Sequence, residues 1–237
     1  MAILNKRLNL AAEMLGQTNS VADIGTDHAF LPIYLIKKGL AKKVIACDIA
    51  DGPLSVAKAN ITKYGLSDKI ELRLANGILG LKPMEVDAIT ILGMGGETIA
   101  DILTDSPWVK NPELTLILQP MSCDDRLREY LLSEGFEVLT EVGVESQKRF
   151  YTVMKVQYSG NLKKVGPEYK YIGKLLDTPN AAAITFVKNR LKSLKKCMAD
   201  IESVERKREL YNELKVAVEV IEKCLKSVNV MKKNSIK

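Results

Sequence analysis

The chain of 237 residues is 46% hydrophobic, enough for one large domain or a medium domain with an appendage, and no apolar run approaches the ~18 residues that a membrane span needs. The N-terminus, MAILNKRLNL, has neither the long apolar core nor the small-residue cleavage site of a signal peptide, so a soluble cytoplasmic protein with no membrane partner is expected. The net charge of +6 is uneven: residues 1–158 carry 17 basic and 20 acidic side chains, net −3, whereas residues 159–237 carry 18 and 9, net +9, which points to a polyanionic partner for the basic part.

Residues 5–16 predict a helix with Leu4, Leu8, Ala11, Ala12 and Leu15 on one face and Gly16 at its end. Lys6 and Arg7 lie off that face, either as a solvated edge or as contacts to substrate phosphates. The stretch Val21–Leu35, VADIGTDHAFLPIYL, reads as a buried strand over Val21–Ile24, a sharp turn over Gly25–His28, and a helix from Ala29 to about Lys38 ended by Gly39. Lys43–Asp48 is a short strand closing on an acid, and residues 51–64 form a helix with Gly65 just past its end. Lys69–Leu74 alternates as a strand and leads into Ala75-Asn76-Gly77. Asp87–Leu92 is a buried strand ending in a Gly93-Met94-Gly95-Gly96 turn, followed by a helix to about Leu103. Pro107, Trp108 and Pro112 make 104–113 a loop, Leu114–Gln119 is a fifth strand stopped by Pro120, and residues 123–134 form a helix. Phe136–Val144 and Arg149–Val156 form an antiparallel hairpin.

Five strands alternating with helices and then a hairpin predict an α/β fold, a seven-stranded, mostly parallel sheet with an antiparallel edge. Residues 159–170, rich in Gly, Pro and charge, read as a connector. Beyond it Ile184, Val187, Leu191, Leu194, Met198 and Ile201 recur every three or four residues, as do Tyr211, Leu214, Val218, Ile221, Leu225 and Val228. The two runs fall out of phase across Ser203–Arg208. They read as an antiparallel helical hairpin of coiled-coil type, with one long helix as the alternative and a frayed tail at Met231–Lys237.

Chemistry in such a sheet collects at the carboxyl ends of the strands. Those ends here are Gly25–His28, Asp48, Asn76-Gly77, Gly93–Gly96 and Gln119-Pro120. An acid closing the second strand suits the two hydroxyls of a ribose, and Asp48 is so placed, although it reads also as a cap for the helix that follows. The first turn spells D-I-G-T-D, not the glycine-rich dinucleotide fingerprint, and its acids would repel a diphosphate. A cationic cofactor without phosphates fits better, and S-adenosylmethionine carries a sulfonium, an ammonium and a ribose. Asp23 or Asp27 is suited to the ammonium, the Gly25 amide to its carboxylate, and Asn76 to the adenine. Asp23 reads also as a helix cap, Gly93–Gly96 as a tight turn and His28 as a structural histidine. The four cysteines are scattered with no CxxC pair and read as reduced, buried thiols; Cys123 has no neighbouring base and reads as a bystander. A single histidine excludes a multi-histidine metal site, and no metal is expected.

The runs VADIGTDHAFLPIYL, VIACDI, LANGI, LGMGG and LILQPM, in that order, resemble class I methyltransferases with a Rossmann-like fold. More narrowly they resemble bacterial tRNA adenine N1-methyltransferases of the TrmK type, which modify adenine 22 of tRNA with S-adenosyl-L-methionine. The resemblance implies a cofactor loop of Asp23, Gly25, Asp27 and His28, a ribose contact at Asp48 with Ile49 beside it, and adenine flanked by Asn76-Gly77. Where that family commonly has an acid, this chain has Asn76. Gly93, Met94, Gly95 and Gly96 correspond to the place where the target base meets the methyl group, with Asp27 or His28 expected beside the transferred methyl. The chain is expected to divide into a methyltransferase domain over 1–158, which the resemblance covers to about Val156, a linker over 159–170 and a basic helical hairpin over 171–237, which fits that family's appendage. Lys6, Arg7, Lys188, Arg190, Lys192, Lys195, Lys196, Arg206, Lys207 and Arg208 are the candidates for tRNA phosphates, in a protein expected to be a monomer; a solvated charged face is the alternative for the helical ones.

Overall fold

The computed structural model describes residues 4–234. Seven strands form one sheet in the order β3-β2-β1-β4-β5-β7-β6. They are β1 (Ser20–Ile24), β2 (Lys43–Asp48), β3 (Ile70–Leu74), β4 (Ala88–Gly95), β5 (Thr115–Ser122), β6 (Phe136–Ser146) and β7 (Arg149–Tyr158). The first five are mutually parallel, and β7 runs antiparallel to both β5 and β6. Gln147 and Lys148, both with positive φ, make the two-residue turn between β6 and β7, the geometry that matches the twist of a hairpin.

Alternation along each strand sends side chains to two separate cores. Val21, Val44, Ala46 and Ala88 face α1 (Lys6–Leu15), α2 (Phe30–Lys37) and α3 (Asp51–Lys63). Ala22, Ile45, Ile89 and Leu116 face α4 (Gly96–Thr104) and α5 (Asp124–Ser133). The result is a sheet between two helical layers. The chain reverses its winding between β1 and β4, where a crevice opens above the strand ends. Asn5 caps α1 by accepting the Leu8 N–H, which fixes where that helix starts relative to the crevice.

Two strand ends differ from expectation. Gly93–Gly95 continue β4 through two register shifts against β5, so the glycines form an irregular strand end, and α4 starts at Gly96. Pro120 does not stop β5, which continues to Ser122. The missing N–H is tolerated because β7 pairs only with Leu116, Ile117 and Leu118, leaving Pro120 beyond the doubly paired part.

The C-terminal region contains α6 (Tyr169–Ile172), α7 (Ala181–Ile201) and α8 (Arg208–Asn234), with a turn between α7 and α8 that interrupts any single long helix. Lys195 pairs with Glu222 and Tyr211 with Glu202, so α7 and α8 run antiparallel. The apolar residues of both runs enter one core shared with Tyr171, Ile172 and Leu175. Helix α8 reaches Asn234, and residues 235–237 of the expected frayed tail lie outside the described residues.

Helix α7 is seated on the sheet. Asn180 accepts the Ala183 N–H at 2.7 Å and donates to the Gly143 carbonyl at 2.8 Å. Gly143 itself permits this approach, since a Cβ there would lie 2.9 Å from that of Ala183. Arg128, wholly buried in α5, donates to Asp124 (2.6 Å), Glu141 of β6 (2.7 Å) and the Lys170 carbonyl (2.9 Å). Burial alone would lower its pKa, but Glu141 and Asp124 more than reverse that and keep the guanidinium charged. Glu141 also accepts from Thr152 and from the Lys174 N–H, so one buried carboxylate ties β6, β7 and the start of the C-terminal region together.

Candidate active site

The cavity at the β1–β4 switch point has a volume of about 380 Å³ and is lined by Asn5, Arg7, Asp23, Thr26, Leu92 and Phe30, together with Gly25, Asp27, His28 and Gly93. Its floor is the β1–α2 loop. Gly25, Asp27 and Ala29 all adopt left-handed φ values of 72°, 51° and 56°. For Ala29 that conformation is strained, and such strain persists only where surrounding structure holds it. The Gly25 and Thr26 N–H groups donate to the Cys47 carbonyl, which pins the loop to β2.

Asp23 is fully enclosed, and its carboxylate accepts from Thr90 of β4 at 2.7 Å. Burial pushes its pKa up to about 6, with Asp48 adding to the rise and the hydroxyls of Thr90 and Thr26 opposing it. Thr26 acts only by proximity, since its buried Oγ1 makes no hydrogen bond of acceptable geometry. His28 Nδ1 is likewise buried without a partner, while Nε2 stands 3.6 Å from the exposed Asp27 carboxylate, too far for a hydrogen bond. Two orphaned polar atoms on one loop mark where a ligand's polar groups would be satisfied.

Asp48 accepts the Asp27 N–H at 3.3 Å and the Ala50 N–H at 3.1 Å. The latter bond is to the N-cap residue Ala50 and not to an N–H of the first turn, so Asp48 is not a side-chain cap of α3. Ile49 is exposed beside it, and Asn76 is exposed at the next strand end. Asp48, Ile49, Asn76 and Gly77 lie outside the cavity lining. Gly77 has left-handed φ and little room, since a Cβ would lie 3.1 Å from the Ile102 side chain. The Met94 methyl lies directly against Gly25, where any β-carbon would have to sit. Gly96 packs on the Cys123 backbone, its notional Cβ 2.7 Å from that carbonyl carbon.

The structure moves Arg7 from the sequence's basic edge into the cavity wall. Its guanidinium is partly desolvated, which lowers its pKa, and donates to Gln119 Oε1, which also accepts the Gly93 N–H at 3.1 Å. The lever is α1, which packs across the sheet and points Arg7 over the strand ends. Arg190 also differs from a free phosphate contact: it pairs with Asp124 and stacks over Phe186 at 5.6 Å. Lys195 is paired with Glu222, whereas Lys6, Lys188, Lys192, Lys196, Arg206, Lys207 and Arg208 are exposed. Of the thiols, Cys47 is buried, its pKa pushed up to about 12, but Cys123 and Cys197 are exposed, contrary to the expectation of burial: Cys123 sits in a left-handed cap before α5, and Cys197 on the outer face of α7.

Sequence reasoning missed Thr26 and Phe30, although both stand inside the stretch it singled out, and gave Gln119 no role beyond a polar residue closing an apolar strand. Among the described residues no group of His, Cys, Asp and Glu could hold a metal ion, and no helix is long and apolar enough to cross a membrane.

In Rossmann-type folds nucleotide-like ligands bind at the switch point beyond the carboxyl ends of the strands, and the acid-lined glycine turn of this chain lies there. Residues 4–154 match the family described as methyltransferase domain. Over 151 residues the chain is 40% identical to the tRNA (adenine(22)-N(1))-methyltransferase of Bacillus subtilis, covering 64% of this chain and 63% of that one. The aligned stretch is thus just under two thirds of that relative's length. The crystal structure of the B. subtilis m1A22 tRNA methyltransferase TrmK superposes with a TM-score of 0.81 at 30% identity, covering 95% of this chain and 100% of that one. The TrmK of M. capricolum, solved with S-adenosyl-homocysteine, superposes with a TM-score of 0.76 at 27% identity, covering 94% and 98%. The chain belongs to the methyltransferase-domain family and, within it, to the tRNA (adenine-22-N1)-methyltransferases of the TrmK type.

Proposed function

We propose that the protein transfers a methyl group from S-adenosyl-L-methionine to N1 of adenine 22 in tRNA. The observation that carries this reading is the cavity itself: an acidic, glycine-floored pocket with two unsatisfied buried polar atoms, at the switch point of a chain in this family. Its donor set fits the cofactor. Asp23 and Asp27 suit an ammonium and Arg7 in the same lining suits a carboxylate, whereas the Gly25 N–H, expected to meet that carboxylate, is taken by the Cys47 carbonyl. Asp48 and Asn76 at the next two strand ends serve the ribose and the base. When bound, the cofactor supplies an activated methyl on a sulfonium.

The protein's own task is alignment and exclusion of water, because adenine N1 is already a nucleophile with an in-plane lone pair. Paired bases hide N1, so the target is unpaired or flipped into the crevice beside Gly93–Gly96. Methylation at N1 leaves a cationic base, whose charge can be lost as a proton from the exocyclic amine. Asp27 and His28 are the groups at the cavity mouth able to stabilise that charge or take that proton. Residues 1–158 do the chemistry, 159–170 connect, and the basic helices beyond them grip tRNA phosphates through their exposed lysines and arginines. A tRNA substrate sets the reaction in the cytoplasm, and a single chain holds every residue named.

The test is transfer of labelled methyl from S-adenosylmethionine to unmodified tRNA and, in parallel, to a protein extract. Label in tRNA alone is expected; label in protein alone would overturn the reading. Asp27→Ala, assayed at saturating S-adenosylmethionine, should slow transfer at least about tenfold, in the range of general acid–base effects. An unchanged rate would remove Asp27 from the mechanism.

A further inference from the structure

A second concavity of about 460 Å³ lies between the start of β7 and the outer face of α7, with Met121 of β5 at one end. Its walls carry Lys148, Arg149 and Phe150 from the hairpin, and Phe186, Asn189 and Arg190 from α7. Two half-buried phenyl rings flanked by cations make a platform of the kind that stacks bases while basic groups follow the backbone. Lys148 and Arg149 are exposed, and among the described residues neither forms an ion pair. Arg190 is held by Asp124 and lies over the Phe186 ring, so that ring is fixed in place and not free to collapse into the groove.

The groove adjoins the catalytic cavity. Gln119, wholly buried, accepts from Arg7 and Gly93 on the cavity side through Oε1, and directs Nε2 toward Met121 Sδ at 3.7 Å on the groove side. One side chain therefore touches a wall of each depression. A nucleic-acid strand whose target base enters the cavity has its neighbouring nucleotide within reach of the groove.

We propose that this groove is a subsite for the nucleotide adjoining the flipped adenine, its base stacked on Phe150 and Phe186 and its phosphates met by Lys148 and Arg149. The inference rests on the tRNA reading above. It gives the β6–β7 turn, which the mechanism otherwise leaves without a role, the task of holding the strand open. The anchoring of α7 on the sheet then serves to keep the two walls of the groove at a fixed spacing.

The test uses the full-length protein with unmodified tRNA. Phe150→Leu keeps an apolar side chain but removes the stacking face, and should raise KM for tRNA about tenfold, with kcat little changed. The pair Lys148→Ala and Arg149→Ala, both exposed, should reduce the slope of log affinity against log salt by about one to two. Calorimetric affinity for S-adenosylmethionine should match the unaltered protein in every variant, which also confirms folding. Unchanged KM and salt slope, with normal cofactor binding, would overturn the subsite. If the unaltered protein neither binds nor methylates tRNA, the functional reading fails and takes the subsite with it.

Discussion

The Asp23 carboxyl is enclosed between β1 and β4, and burial raises its pKa from 3.8 to about 6 despite the hydrogen bond from Thr90. The raised value means that the protonated form favours the fold. That contribution is complete below the ordinary value of 3.8 and is lost as pH rises through about 6. A cofactor ammonium beside Asp23 reverses the preference and favours the carboxylate, so binding expels a proton in acid. Affinity for S-adenosylmethionine should therefore fall by roughly an order of magnitude between about pH 7 and about pH 5. Asp23→Asn should bind more weakly at neutral pH and lose most of that dependence. Calorimetry across the range checks it, and an identical pH profile in the variant would detach Asp23 from the ammonium. At this scale the sequence was most informative where site residues are consecutive: Asp23, Gly25, Asp27 and His28 share one turn, and the structure lines one cavity with all four. Arg7 could not be placed the same way. Its helix precedes the loop, and only the packing of α1 across the sheet brings its guanidinium to Gly93.

Elements were legible wherever hydrophobic period and glycine punctuation agreed. The strands, the hairpin and both C-terminal apolar runs stand where the pattern set them. Expectation and structure part at Gly93–Gly95 and Pro120, because glycine and proline were read as local breakers while tertiary pairing of β4 with β5 carries both strands onward. The other invisible feature is the Arg128–Glu141 pair, whose partners come from α5 and β6 and lie wholly out of solvent. Glu141→Ala would leave the buried Arg128 with Asp124 as its one remaining carboxylate and also release Thr152 and the Lys174 N–H. A loss of about 3–5 kcal/mol in urea unfolding is expected, as for other broken buried pairs. A change under about 1 kcal/mol, the level of an exposed pair, would show that the network is not desolvated in solution. Arg128 shares the apolar face of Leu127 and Leu131, unlike the exposed Arg126 on the same helix, but nothing in the sequence names the carboxylate of β6 that it meets.

For the whole molecule, the charge asymmetry finds a structural counterpart. The acid-rich part folds around a cavity that would hold a cation, and the basic part is a pair of antiparallel helices seated on the hairpin edge of the same sheet. Three contacts bind the halves together: Asp124 pairs with Arg190, Arg128 donates to the Lys170 carbonyl, and Glu141 accepts the Lys174 N–H. The basic helices thus have a fixed bearing on the crevice, as a substrate much larger than the cavity requires. The most direct test of the account is mass spectrometry of an unmodified tRNA transcript after incubation with the protein and S-adenosylmethionine. A single 1-methyladenosine mapping to position 22 is the predicted result, and a methyl on another atom or base, or none at all, would contradict it.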